Sequence, residues 1–299
     1  MPRWMRWTGY AVGTVVLLAG AAVGYVYAAS THKANKRYDI PATPITIVHD
    51  SATIARGRHF ATAIGKCVEC HGDDLGGKVL VDDPALGIVI PPNITNGGLL
   101  PSYSDAELVR VIRQGIKRDG RSAIVMPSDD YQYLTDEDVG AIVAYLRTVP
   151  AVTRDPGPTR LRLVGRTLVA TNLVPLYAAE RTSRTYRAPA HLEPDTSLTY
   201  GAYLANTGGC TGCHGPGLGG GPIPGMPPEA APAANLTPTG IGHLSDAQLE
   251  RILRSGERPD GSTLKPDMPW RYTALMSDLE MRATIKYLRS VPAKAYGTR

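Results

Sequence analysis

The sequence predicts an all-α chain in which one membrane-crossing helix precedes two tandem copies of a single helical domain. Three observations predict it. Thr8 to Ala29 is an uncharged stretch of 22 residues. Residues 57–150 match residues 201–292 at an offset of 141 to 144. Four helix-start signatures, Ser104…Glu107, Thr135…Asp138, Ser245…Gln248 and Ser277…Glu280, each precede an amphipathic run such as Val139, Ile142, Val143 and Leu146. In such a box the hydroxyl accepts from the third backbone N–H and the later side chain reaches back; Asp138 is the shortest of the four.

Taken in order, the first element spans ~33 Å as a helix, enough for a bilayer core. Trp4, Trp7 and Tyr10 mark one interface, and Tyr25 and Tyr27 the other. Arg3 and Arg6 precede it and Lys33, Lys36 and Arg37 follow, so charge alone does not orient it. A cleavable signal peptide is the rival reading, with Val26 and Ala28 at the positions before the cut. The apolar stretch, however, exceeds the usual signal core of about 7–15 residues. Residues 1–30 are therefore expected to be a retained anchor with a short cytoplasmic start, and 31–49 a juxtamembrane linker. Gly9-xxx-Gly13 and Gly20-xxx-Gly24 either admit a neighbouring helix or are glycines tolerated toward lipid.

The repeats are expected at 50–150 and 197–299. Gly57-Arg58-His59-Phe60 answers Gly201-Ala202-Tyr203-Leu204, Asn93-Ile94-Thr95 answers Asn235-Leu236-Thr237, and Asp119-Gly120 answers Asp260-Gly261. Met126-Pro127 answers Met268-Pro269, and Tyr145-Leu146-Arg147 answers Tyr287-Leu288-Arg289. Gly57 and Gly201 in the first helix would let the last helix cross closely, with Tyr145 or Tyr287 packed over them; plain tolerance of glycine near a helix start is the alternative. Pro150 and Pro292 stop the last helices. The Gly- and Pro-rich stretches before each Asn-x-Thr lack a period and are expected to be irregular loops. The linker, 151–196, has partly helical apolar spacing at Leu161, Val164 and Leu168 among several arginines. A connector helix packed between the domains is expected. The sharper alternative places it on an anionic membrane surface or a partner subunit through Arg166, Arg181 and Arg184.

All four cysteines fall in two pentads, Cys67-Val68-Glu69-Cys70-His71 and Cys210-Thr211-Gly212-Cys213-His214. In CxxCH two thiols can bond covalently to one edge of a haem, and the adjacent His turns under the ring as an iron ligand. Two covalently attached haem c groups are thus expected. A Cys₄ zinc site would have to join pairs about 140 residues apart. A thioredoxin-like motif would need a βαβ pattern that is not seen, and disulfides leave both histidines unexplained. Met126 lies 55 residues after His71 and Met268 lies 54 after His214. Each precedes proline, and both are expected to be the second axial ligand; a thioether favours ferrous iron and raises the potential. Met226 competes but has no counterpart in the first copy, while Met276 and Met281 read as packing. The porphyrins would also supplement an apolar content of 43% that includes a single Phe. Residues 1–49 carry five basic residues against one acid and 151–194 carry seven against three, whereas 50–150 carry 10 against 14. The basic excess lies in flank and linker, with no basic run interleaved with aromatics, so nucleic acid is set aside.

At these residues each copy resembles a class I cytochrome c domain. The Asn-x-Thr loop, the Asp-Gly turn and the YLRxVP ending are similar to haem domains in the cytochrome subunits of membrane-bound alcohol and sugar dehydrogenases, which typically have three haems where this chain has two CxxCH motifs. The resemblance implies a non-enzymatic electron carrier, while the apolar stretch and the attachment of haem c outside the cytoplasm lead to the expectation of a single membrane pass with the N-terminus inside and the haem domains on the periplasmic side. It would move electrons from a quinol-oxidising complex or dehydrogenase to a terminal oxidase or other acceptor, within a larger respiratory or photosynthetic complex. Membrane lipid and membrane or periplasmic redox proteins are the expected partners. The alternatives are a dihaem peroxidase, or a cytochrome subunit of an alcohol or sugar dehydrogenase.

Overall fold

A computed structural model describes residues 2–226 and 229–299. Helix α1 (Arg3–Asn35) is continuous, exposed through its apolar portion, and long and apolar enough to cross a membrane. It extends ~50 Å, so its last turns project beyond a bilayer core. The first repeat follows as α2 (Ser51–His59), α3 (Cys67–His71), strands β1 (Val81–Asp83) and β2 (Gly87–Val89), α4 (Asp105–Gln114), α5 (Ser128–Tyr131) and α6 (Asp136–Thr148). Next come β3 (Arg160–Leu161), α7 (Leu163–Ala170) and α8 (Ala178–Arg181). The second repeat is α9 (Leu198–Thr207), α10 (Cys210–His214), α11 (Pro238–Ile241), α12 (Asp246–Ser255), α13 (Trp270–Thr273) and α14 (Asp278–Ser290). The chain is mostly helical with little sheet, as the sequence predicts.

In each repeat the first helix crosses the last at a glycine. A methyl at Gly57 would overlap the Ala141 carbonyl and come within 2.9 Å of Tyr145 Cβ; at Gly201 it would overlap the Ala283 carbonyl and come within 2.7 Å of Tyr287 Cβ. The glycines are therefore required by the crossing. The arginine that follows shortly after each of these tyrosines clamps the loop before the middle helix. Arg147 donates to Asp105 Oδ1 (2.9 Å), Leu100 O (2.9 Å) and Tyr103 O (2.7 Å), and Arg289 to Asp246 Oδ1 (3.0 Å), Ile241 O (2.9 Å) and Leu244 O. One apolar cluster runs through both repeats, joining Phe60, Leu134 and Val139 to Tyr200, Tyr203, Leu249 and Met281.

Three expectations change. The capping box forms fully at Ser104, Ser245 and Ser277, but at Thr135 only the hydroxyl half is made. Asp138 instead faces Arg56 and Tyr203, as described below. The loop after the first CxxCH is not wholly irregular: β1 and β2 form a hairpin, and β3 from the linker pairs with β2 at Gly87↔Leu161 and Ile88↔Arg160. The linker helix packs against α1 rather than between the repeats. Arg166 Nη1 donates to Ser30 Oγ (2.9 Å) and its guanidinium lies 4.7 Å from the Tyr27 ring centre, while Lys33 Nζ bonds Asn172 Oδ1. Arg166, Arg181 and Arg184 are thus engaged within the chain. Arg181 pairs with Asp129 at 2.9 Å, and Arg184 bonds the Ala179 carbonyl and lies over Tyr38. The segment after α1 is also strapped down: Tyr38 N donates to Gly120 O at 2.9 Å, Arg110 Nη1 to Ile40 O at 3.0 Å, and Ile45 and Ile47 pack into the core.

Candidate haem-binding sites

The two CxxCH pentads are single helical turns entered through a left-handed residue, Lys66 (φ 50°) in one repeat and Gly209 (φ 73°) in the other. Each histidine is followed by a glycine at positive φ, Gly72 or Gly215, a backbone conformation that only glycine adopts readily. His71 Nδ1 donates to Pro92 O at 2.8 Å, and His214 Nδ1 to Ala234 O at 2.7 Å. That bond fixes the tautomer and leaves Nε2 with its lone pair available to iron. Burial pushes both imidazoles below their ordinary value, against the pull of these carbonyls, so both are neutral at pH 7.

The Asn-x-Thr motif holds the orienting carbonyl in place, a role that its sequence position did not disclose. Asn93 Nδ2 donates to Val152 O (2.6 Å) and Arg154 O (3.0 Å), while Oδ1 accepts from Thr95 N (2.9 Å) and Thr95 Oγ1 (2.7 Å). Asn235 donates to Lys294 O (2.8 Å) and accepts from Thr237 N (2.8 Å) and Thr237 Oγ1 (2.7 Å). In both repeats the residue that follows the histidine-binding carbonyl is therefore stapled to the chain leaving the last helix.

Met126 and Met268 occupy matching backbone. Each is half-buried and precedes a proline (φ −81° and −80°) that starts a single-turn helix, α5 or α13. Met276 and Met281 are buried in the core, and Met226 is exposed, its neighbour Pro227 lying outside the described residues. Tyr131, on the turn after Met126, donates to Gly65 O and ties that segment to the lead-in of its own CxxCH.

The repeats meet about an approximate two-fold relation. Residues His59 and Tyr203 are equivalent, as are Asp138 and Glu280. His59 Nε2 lies 2.9 Å from both Glu280 oxygens; Tyr203 OH donates to Asp138, which also takes Arg56 Nε at 2.6 Å and Thr135 Oγ1 at 2.9 Å. The third residue of each last helix thus binds the first helix of the opposite repeat. Nearer the pentads, Lys66 Nζ donates to Gly208 O, and a side-chain carbon at Gly208 would lie 4.0 Å from Ile64 O. Asp130 abuts Gly209, where a methyl would meet its carboxylate at 3.0 Å. Burial, with Asp129 adding, pushes the Asp130 carboxyl up to about 7. The lead-ins to the two CxxCH turns are in contact, so both pentads begin at one shared interface. Sequence reasoning missed this pairing; the exchange of partners between equivalent positions shows only in the tertiary contacts of the two repeats.

The donor set fits haem c. None of the four cysteines is spent in a disulfide, so each sulfur is available to bond haem. Each histidine spends Nδ1 on a backbone carbonyl and keeps Nε2 for iron, and among the described residues no three His, Cys, Asp or Glu side chains gather as a bare-ion site. When bound, haem would supply a one-electron ferric–ferrous couple; the chain orients the histidines and sets the charge around them. That charge differs between sites. Glu69 lies within the first pentad and Asp73 and Asp74 follow it, Asp74 being paired with Arg154 at 2.8 Å, whereas Arg299 donates to Gly212 O at 3.2 Å in the second.

Comparison with known proteins agrees with this construction. Residues 52–146 match the family model described as cytochrome c oxidase, cbb3-type, subunit III, and residues 198–292 match the cytochrome c model. The fructose dehydrogenase cytochrome subunit of Gluconobacter japonicus is 29% identical over 308 residues, covering 95% of this chain and 59% of that protein. The cytochrome c subunit of the quinone alcohol dehydrogenase of Gluconobacter oxydans is 26% identical over 279 residues, covering 83% and 56%. The gluconate 2-dehydrogenase cytochrome c subunit of Pantoea cypripedii is 38% identical over 101 residues, 31% of this chain and 23% of that protein. The chain thus spans little more than half of the first two relatives. Both repeats are cytochrome c domains, and the chain belongs to the c-type cytochromes as a dihaem member, with two covalently bound haem c groups and homology to the cytochrome subunits of membrane-bound sugar and alcohol dehydrogenases.

Proposed function

We propose that this chain is the electron-relay subunit of a membrane-associated dehydrogenase complex, itself without substrate chemistry. It takes electrons from a dehydrogenase partner or quinol oxidiser and passes them between its two haems to an acceptor. The observation that carries the reading is the shared interface: each CxxCH heads a domain with its own Met-Pro turn, and the lead-ins to the two pentads meet. His71 with Met126, and His214 with Met268, are the proposed axial pairs, which close both irons to substrate. The N-terminus would lie inside and the haem domains outside the cytoplasmic membrane, where c-type haem attachment takes place. The relatives support a dehydrogenase partner, since they are named as cytochrome subunits of such enzymes.

The test is made on the full chain in detergent. Both ferric haems should be low-spin and should show the weak long-wavelength band of sulfur ligation. Met126→Ala and Met268→Ala should each remove one share of that band and lower one potential. A variant pair that leaves the band intact overturns the ligand assignment. A native high-spin haem with peroxide turnover would instead favour the dihaem peroxidase.

A further inference from the structure

The β1–β2 hairpin has no strand counterpart among the described residues of the second repeat. Its tip, Pro84-Ala85-Leu86, is exposed. It is fastened to the start of α7: Arg162 N donates to Leu86 O at 3.0 Å, Arg162 Nη1 donates to Pro84 O at 2.9 Å, and a methyl at Gly165 would overlap the Leu86 carbonyl. Leu86, Leu163 and Val164 are 37%, 44% and 45% exposed. Two separate stretches of chain therefore present one exposed apolar group.

Its height follows from the contacts of α1. Arg166 meets Tyr27 and Ser30, while Asn172 meets Lys33. Both helices thus climb in the same sense. Leu163, one turn before Arg166, lies ~4.5 Å lower, level with Tyr25 and Tyr27, where the uncharged stretch of α1 ends. Exposed Leu173 lies beyond Asn172, at the opposite and higher end, and is not part of the group. Arg160 and Arg162 are exposed beside the apolar group, placed as cations that keep their heads in the headgroup layer. Asp82 and Asp83 offset their charge; Asp83 caps the tip, accepting from Ala85 N and Leu86 N at 2.7 Å. The contact is accordingly apolar in the main.

We propose that the hairpin tip and the start of α7 form a second membrane contact, a foot of Leu86, Leu163 and Val164 seated in the interfacial layer of the bilayer beside α1. The proposal rests on reading α1 as a membrane anchor. Its occupant is lipid because the patch is continuous with that helix and level with its aromatic rim.

The experiment places the full haem-loaded chain in nanodiscs of neutral and anionic phospholipid containing a lipid with a diazirine near the headgroup end of its acyl chain. After irradiation, adducts are mapped by peptide mass spectrometry. Label is expected on α1 and also on peptides covering residues 82–88 and 160–166. The combined variant Leu86→Ser, Leu163→Ser and Val164→Ser should lose label on those two peptides and keep it on α1, with an unchanged visible spectrum showing that the haem domains are intact. Label confined to α1, or label on the two peptides that survives in the variant, would overturn the foot alone. Absence of label from α1 as well would overturn the anchor together with the foot.

Discussion

Replacing Asn93 by alanine tests the staple behind the first histidine most directly. The buried amide makes four hydrogen bonds, to Val152 O, Arg154 O, Thr95 N and Thr95 Oγ1, whereas Asn235 makes three. At a net ~1 kcal/mol for each neutral buried bond, Asn93→Ala should cost roughly 3–4 kcal/mol and Asn235→Ala roughly 2–3. The difference of ~1 kcal/mol is the sharper quantity, since the orphaned partners are otherwise alike. The assay is guanidinium unfolding of the oxidised full chain, followed in the Soret band, with free energies compared at equal slope. Each variant should also disturb the spectrum of its own haem, because the carbonyl that orients the histidine is the preceding residue's. An Asn235 variant that loses as much as or more than the Asn93 variant would refute the accounting, as would a loss under ~1 kcal/mol at Asn93.

Three further outcomes are expected. Burial alone would raise the Glu280 carboxyl, but the hydrogen bond and charge of His59 and the Ser277 amide hold it below the ordinary carboxylate range. Such a depressed group contributes stability above its unfolded pKa and loses it as pH falls through the folded value, so the interface should weaken below about pH 4; Glu280→Gln should flatten that acid limb in unfolding curves, and an unchanged limb counts against it. Gly57→Ala forces a methyl onto backbone at the Ala141 carbonyl and should cost about 1–3 kcal/mol or more, while Gly140→Ala, whose nearest neighbour would be Ile45 Cδ1 at 3.6 Å, should cost far less; equal melting temperatures would contradict the crossing geometry. Glu69 within the first pentad and Asp73 just after it should make its haem the lower-potential centre. Neutralising Glu69 should raise that potential by the equivalent of roughly 0.5 kcal/mol, read by spectroelectrochemistry, and a fall would reverse the assignment.

The helices were legible because their signals are local: Ser104, Ser245 and Ser277 carry both halves of a capping box within four residues, and the CxxCH turns are contiguous. Thr135 misled because Asp138 spends its oxygens on Arg56 and Tyr203, which are remote in sequence. The hairpin at 81–89 was hidden since its third strand comes from the linker about seventy residues later, leaving no period in its own stretch. The linker arginines looked available for lipid on composition; Asp129 and the Met126 carbonyl occupy Arg181 and the Tyr38 ring lies against Arg184, partners that only tertiary contact supplies. The role of Asn93 was invisible for the same reason, its partners at 152 and 154 lying beyond the last helix.

The junction of α1 with α7 and the strapped segment after it govern how far the haems can travel. A free coil across residues 31–49 would give an end-to-end reach of about 25 Å, and a partner anywhere within that radius could be visited. With Ser30, Tyr38, Ile45 and Ile47 held against the body of the protein, that search volume collapses. With α1 in a bilayer, collision with a partner would become a matter of lateral diffusion in that plane at one height and one tilt. Partners whose redox centre lay at another height would then be excluded by geometry rather than by affinity, and lengthening or loosening this segment would widen the choice of partner while lowering the effective concentration of the right one.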